Sequence, residues 1–119
     1  MKEIKIKRVY DGKEYGDGYR VLVDRLWPRG VSKEDAAIDE WAKDITPKDQ
    51  LRKDVHSERI TWEEFKNIYS EDLKGSSTFK DWKNHINKIR KRRYITLVTG
   101  AKLHDNGHPY IIKEALEEN

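Results

Sequence analysis

The sequence predicts a single α/β domain, residues 1–119: a small, mostly parallel sheet of at least three strands, with helices packed around it in Rossmann-like layers. Three observations carry this expectation. The apolar run Val21-Leu22-Val23 is continuous rather than alternating, as in a strand covered on both faces, and the β-branched-rich Tyr94 to Gly100 resembles it. Long segments with helical periodicity lie between the strands. No two-residue hairpin joins one strand to the next, so right-handed crossovers are the expected connections.

Composition narrows the class further. A chain of 119 residues can bury one modest core. Charged residues make up 39% and hydrophobic ones 35%, but the hydrophobics are clustered and include 4 Trp, which argues for a folded domain with a charged surface. The net charge is only +3, from 25 basic and 22 acidic residues, so an anion site must arise from local clustering. There is no Cys, which removes disulfides, thiolate nucleophiles and Cys-ligated metal centres. The stretch from Met1 to Lys7 lacks the apolar centre of a secretory signal, and no apolar run approaches the roughly 20 residues of a membrane helix. A soluble, cytoplasmic protein with no membrane partner is expected. Oligomeric state and sheet order are left open.

In chain order, Ile4, Ile6 and Val9 alternate with Lys5, Lys7 and Arg8, as in a strand near a sheet edge. Tyr10 to Gly18, with three glycines and two aspartates, is a loop; its tyrosines could form a flap over a neighbouring site. The second strand runs from Tyr19 to about Leu26, where Pro28 and Gly30 end it. Ser32 caps a helix, with Asp35 as acidic partner and Ile38, Trp41, Ala42 and Ile45 on its buried face. Trp41 is crowded on that face by Asp39, Glu40 and Lys43. Thr46-Pro47-x-Asp49 begins a short helix reaching about Val55. Thr61-x-x-Glu64 is a capping box for a helix bearing Trp62, Phe65, Tyr69 and Leu73, ended at Gly75. Ser76-Ser77-Thr78 caps the next helix, with Phe79, Trp82, Ile86 and Ile89 inward, to about Lys91 or Arg92. Tyr94 to Gly100 is the last clear strand, rich in β-branched residues. A polar loop, Ala101 to Gly107, leads to a helix starting at Pro109, with His108 in the N-cap position and Ile111, Ile112, Ala115 and Leu116 inward.

In parallel α/β sheets ligands bind beyond the C-terminal strand ends. Here one loop supplies Asp24, Arg25, Trp27 and Arg29, and the other Thr99, Gly100, Lys102, His104, Asp105, Asn106 and His108. Arg25 and Arg29 offer planar bidentate donors for phosphate or carboxylate, Lys102 a point charge, and Trp27 a packing wall. The last helix aims its positive end at the same place. His108 can donate, accept or carry a proton, and Asp24 can orient an Arg or His or act as a base. Taken singly, these residues also fit an ion pair, an exposed turn and a cap. His104-x-x-x-His108 has metal-ligand spacing only on a helix, and Asn106-Gly107 before Pro109 argues against a helix there, so no metal is assigned. No cofactor motif of the GxGxxG or P-loop type is present, nor a G-x-S-x-G nucleophile.

Arg8-Val9-Tyr10-Asp11 and the run from Gly18 through Asp24-Arg25-Leu26-Trp27-Pro28-Arg29-Gly30 to Lys33 closely resemble the YeaO-like bacterial family, domain of unknown function 488. The resemblance continues through Asp39-Glu40-Trp41-x-Lys43, Leu51-Arg52, His56, Trp62-x-x-Phe65-x-x-x-Tyr69 and the final strand with its His-containing loop. It implies a small bacterial cytosolic α/β protein and supplies no reaction. Longer relatives carry Cys and His in the last loop; here His108 matches the His, and no Cys is present. The loop also departs from the acidic-His-Asn-His pattern of short members, which leaves His104 and Asn106 without an implied role.

The leading expectation is therefore an anion site for a phosphate-bearing or other acidic small molecule, built from Arg25, Arg29 and Lys102, with His108 and Asp24 as candidates for proton transfer. Were it an enzyme, hydrolysis or transfer at a phosphate or glycosidic bond is the class. The alternative is a non-catalytic nucleic-acid-binding or regulatory protein using Lys88, Arg90, Lys91, Arg92 and Arg93, a run that also suits a helix C-terminus and has no aromatic interleaved in the sequence. A third is a protein adaptor anchored by Trp27 or Trp41.

Overall fold

Strand β1 (Ile4–Arg8) leads through two 3-10 turns, Val9–Asp11 and Tyr15–Asp17, to β2 (Tyr19–Leu22). Helix α1 (Lys33–Ala36), strand β3 (Glu40–Trp41) and a 3-10 turn, Lys43–Ile45, follow. Helices α2 (Asp49–His56), α3 (Trp62–Lys74) and α4 (Ser77–Arg90) precede β4 (Ile95–Thr99), and α5 (His108–Glu117) comes last. The computed structural model describes residues 3–103 and 107–118. The strands form one all-parallel sheet in the order β1-β4-β2-β3, the small α/β architecture the sequence predicts.

The two faces of this sheet are covered unequally. Alternation along a strand sends Leu97 one way and Val98 the other. On Leu97's side, Val21, Val23 and Ile95 pack with Leu51, Val55, Phe65, Tyr69, Leu73, Phe79, Ile86, Ile111 and Ile112 from α2 to α5 in the main core. On Val98's side the smaller hydrophobic cluster adds Val9 and Ala36, flanked by Trp27, Val31 and Ile38. β1 and β3 are the edge strands, and no described helix is long and apolar enough to cross a membrane.

The thinner face holds a buried charge. Arg20 is fully buried, its Nη1 donating to Asp17 at 2.5 Å and its other N–H groups to the carbonyls of Ala36 and Ala37 at 2.8 and 3.2 Å. Lys7 approaches the same carboxylate at 3.1 Å, and Thr96 donates to the Asp17 carbonyl at 2.7 Å. A buried charge persists only when so partnered. Gly18 bends the chain between Asp17 and β2 at φ 67°, where a Cβ would collide with the Tyr94 carbonyl, so glycine is required.

Arg20 also explains the largest departure from the sequence reading. The helix expected from Ser32 to Ile45 ends at Ala36. Ser32 caps it as expected, but Ala37 adopts the left-handed region at φ 49°, and Arg20 takes up the terminal carbonyls. The chain then joins the sheet edge, with Asp39 N–H donating to Arg20 O and Ala42 N–H to Leu22 O. Ile38 faces the small cluster and Ala42 and Ile45 the main core, so their spacing reflects two sides of the sheet rather than one helix face.

Three boundaries also move. The ladder of β2 stops at Leu22, because beyond Val23 the Asp24 side chain turns toward β4 instead. Helix α2 begins at Asp49, after Thr46 has used its hydroxyl on Lys43 O at 2.8 Å. Gly107, not His108, is the N-cap of α5, and His108 is its first residue. The Thr61–Glu64 capping box forms reciprocally at 3.0 Å. The loop from Tyr10 to Gly18 folds into its two turns, with Tyr10 bonded to Arg29 O at 3.1 Å and Tyr15 fully exposed.

Candidate functional site

β2 and β4 are adjacent and parallel, so the loops leaving them meet at the C-terminal end of the sheet. Asp24 marks the meeting point. Its Oδ1 accepts from Thr99 Oγ1 at 2.6 Å and lies 3.2 Å from His108 Nε2; its Oδ2 accepts from Gly100 N–H at 2.7 Å. Trp41 Nε1 donates to the Asp24 carbonyl at 2.7 Å, so β3 steadies the same residue from the other side. Gly100 sits tight here, since a Cβ would stand 3.0 Å from Pro28 and 3.4 Å from Asp24 Oδ2. Burial pushes the Asp24 carboxyl upward, but the bonds from His108, Thr99 and Gly100 outweigh it and hold the group below the ordinary carboxylate value.

Beside Asp24 and His108 lies a cavity of about 420 Å³. Its apolar wall includes Val23, Val55, Trp62, Phe65 and Pro109. Its polar lining comprises Asp24, Arg25, Thr46, Arg52, His56, Lys102 and His108. Among the described lining residues the cations are Arg25, Arg52 and Lys102, and the only carboxylate is Asp24. Asp49 ties two of these cations together, accepting Arg25 Nη1 at 2.7 Å and Arg52 Nη2 at 3.0 Å. The Arg52 bond, with Arg25 charged beside it, holds the Asp49 carboxyl low. Arg52 Nε is buried with no hydrogen-bond partner among the described residues. His56 packs edge-on to Trp62, ring centroids 5.7 Å apart, and Trp62 to Phe65 at 5.5 Å.

Of the residues singled out in the sequence, Asp24, Arg25, Lys102 and His108 come together in this lining. Arg29 and Trp27 do not line it. Arg29 is exposed in the turn that Gly30 completes at φ 74°. Trp27 sits with the small cluster on the far face, donates to Val31 O at 2.7 Å and meets Trp41 edge-to-face at 5.4 Å. Both indoles are half-buried with their N–H groups bonded. His104, Asp105 and Asn106 lie outside the described residues.

Thr46, Arg52, His56 and Trp62 line the cavity without having been singled out for it. A signal existed: Arg52 and His56 are four apart on α2, one position beyond the buried pair Leu51 and Val55, so both border its inward face.

The basic run lies at the opposite, N-terminal end of the strands and is not uniform. Arg90 is buried, donating to Asn87 at 3.2 Å. Lys88, Lys91, Arg92 and Arg93 are exposed and line an open groove of about 540 Å³ with Tyr19, His85 and Ile89.

The family described as "Inactive DUF488-N3 subclade" matches residues 3–119. The chain is 41% identical over 113 residues to the uncharacterised protein YeaO of Escherichia coli, covering 95% of this chain and 96% of that one. It is 32% identical over 113 residues to the uncharacterised protein Rv3073c of Mycobacterium tuberculosis, covering 95% and 92%. No solved structure matches it. With the family matched over almost the whole length, and with Asp24, Arg25 and His108 meeting beyond the C-terminal ends of the central strands, the chain belongs to the YeaO-like DUF488 family, in its inactive N3 subclade.

Proposed function

We propose that this domain binds a small anionic molecule, a phosphate-bearing or other acidic compound, in the cavity beside Asp24. The observation that carries the reading is the excess of cations among the described lining residues: Arg25, Arg52 and Lys102 against the one carboxylate of Asp24. That carboxylate is itself occupied by three donors. Guanidiniums supply bidentate, charge-assisted bonds to phosphate or carboxylate. The positive end of α5 opens nearby, and its N-cap, Gly107, has no side chain to cap the first turn. The apolar wall adds room for a nonpolar body, and the volume falls within the roughly 300–1,000 Å³ of small-molecule pockets.

The role is binding rather than catalysis. Asp24, held ionised and saturated with donors, serves His108 as an anchor more readily than it serves a substrate as a base. His108 then presents its other ring nitrogen as a ligand contact. A binding role also agrees with the description of the subclade as inactive.

The test is an NMR titration of the full chain with inorganic phosphate and with phenyl phosphate. Saturable shifts are expected at Arg25, Arg52, Lys102 and His108, with phenyl phosphate the tighter ligand. Shifts that leave those residues untouched sink the proposal.

A further inference from the structure

The groove at the N-terminal strand ends is a second site of different character. Four exposed cations, Lys88, Lys91, Arg92 and Arg93, line it, and among the described residues no carboxylate does. None of the four forms an ion pair among the described residues, in contrast to Arg25 and Arg52 at the other end. The linear run has no aromatic within it, but the fold brings one: Tyr19, from the start of β2, has its ring 5.5 Å from the Arg93 guanidinium.

Glu40 organises this surface without facing the groove. It accepts from Tyr19 Oη at 2.7 Å and Trp82 Nε1 at 2.6 Å, and lies 2.6 Å from His85 Nε2. Tyr19 and His85 are therefore held in place between β3 and α4, and the nearby carboxylate is taken up. What remains open to solvent is the half-buried Tyr19 ring bordered by exposed cations.

We propose that this groove binds the sugar–phosphate backbone of a short single-stranded nucleic acid, with a base packing against the Tyr19–Arg93 pair. Single-strand binders combine a cationic track with a stacking side chain. A duplex would keep its bases out of reach of a half-buried ring. A membrane surface would call for protruding apolar side chains, whereas Ile89 is the one aliphatic residue among the described residues of the groove.

The test is fluorescence anisotropy of a labelled twelve-nucleotide oligothymidine with the full chain across a salt series. Neutralisation of four phosphates gives a log–log salt slope of about −3 at roughly 0.7 per contact. Lys91→Glu with Arg92→Glu, both exposed, should roughly halve the slope and weaken binding at least tenfold while circular dichroism stays unchanged. Tyr19→Phe, which keeps the ring, should retain affinity, and Tyr19→Leu should lose about fivefold or more. Arg25→Ala, at the other end of the sheet, should bind like wild type, which separates this site from the cavity. The proposal is overturned by absence of salt-dependent binding, by full affinity in the double charge reversal, by loss of affinity in Arg25→Ala, or by tighter binding to a duplex or to phosphatidylglycerol vesicles.

Discussion

His108 Nε2 stands 3.2 Å from Asp24 Oδ1, a contact that joins the first residue of α5 to the chain just past β2 across 84 positions of sequence. An ionised carboxylate only accepts hydrogen bonds, so the proton on this side of the ring belongs to Nε2. Nδ1 is left as the ring's second contact point.

The same pair sets a pH dependence. Asp24 titrates below its ordinary value in the folded protein, so the stability it contributes is present above about pH 4, the unfolded carboxyl value, and is lost as pH falls through the lower folded value. Urea unfolding of Asp24→Asn at pH 7 should show a loss of about 2 kcal/mol, typical of bonds to a charged group. The gap to wild type should close in acid. An equal gap at every pH would refute the assignment.

Arg20 should be far more sensitive than Arg25. Removing one partner from a buried pair leaves an uncompensated charge, so Arg20→Met is expected to cost about 3–5 kcal/mol. Arg25→Met removes an ion pair that is 45% and 40% exposed on its two sides, and should cost under about 1 kcal/mol. Paired denaturation curves decide this.

Tyr19 should ionise late. Burial and the bond to Glu40 push its phenol up to about 12. Any stability tied to it is intact below about pH 10, the unfolded tyrosine value, and falls as pH rises through the folded value. The difference in 295 nm absorbance between wild type and Tyr19→Phe isolates this group. Glu40→Gln should bring the transition part of the way back toward 10.

The cavity reading separates two arginines that look alike in the sequence. Arg25→Ala should weaken phenyl phosphate binding about tenfold, the equivalent of one charge-assisted bond. Arg29→Ala, outside the lining, should leave it unchanged. Isothermal titration of both variants measures the contrast.

What was legible in the sequence followed from local rules. Thr61 and Glu64 form their box because both partners lie within one turn. Val21 to Val23 and Ile95 to Val98 are buried on both sides because both sides are covered. What was illegible depended on distant partners. Arg20 reads as a surface residue until Asp17, Ala36 and Ala37 are seen around it. Helical spacing from Ile38 to Ile45 could not reveal that these residues straddle a sheet edge. For the cavity, strand-end logic picked out Asp24, Arg25, Lys102 and His108. It could not reach Arg52 or His56, which arrive on a helix that borders the sheet rather than follows a strand end.

The strand order has a bearing on how the chain comes into being. β4 lies between β1 and β2, so the first two strands have no bond to each other and wait for a segment near the other end of the chain. During synthesis, everything up to Tyr94 emerges before the sheet has its centre. Such distant pairing slows folding relative to a helical bundle of the same size and prolongs exposure of unpaired edges. Nascent chains halted before Ile95 should therefore be protease-sensitive throughout, and release of the last 25 or so residues should bring protection to β1 and β2 together rather than in turn.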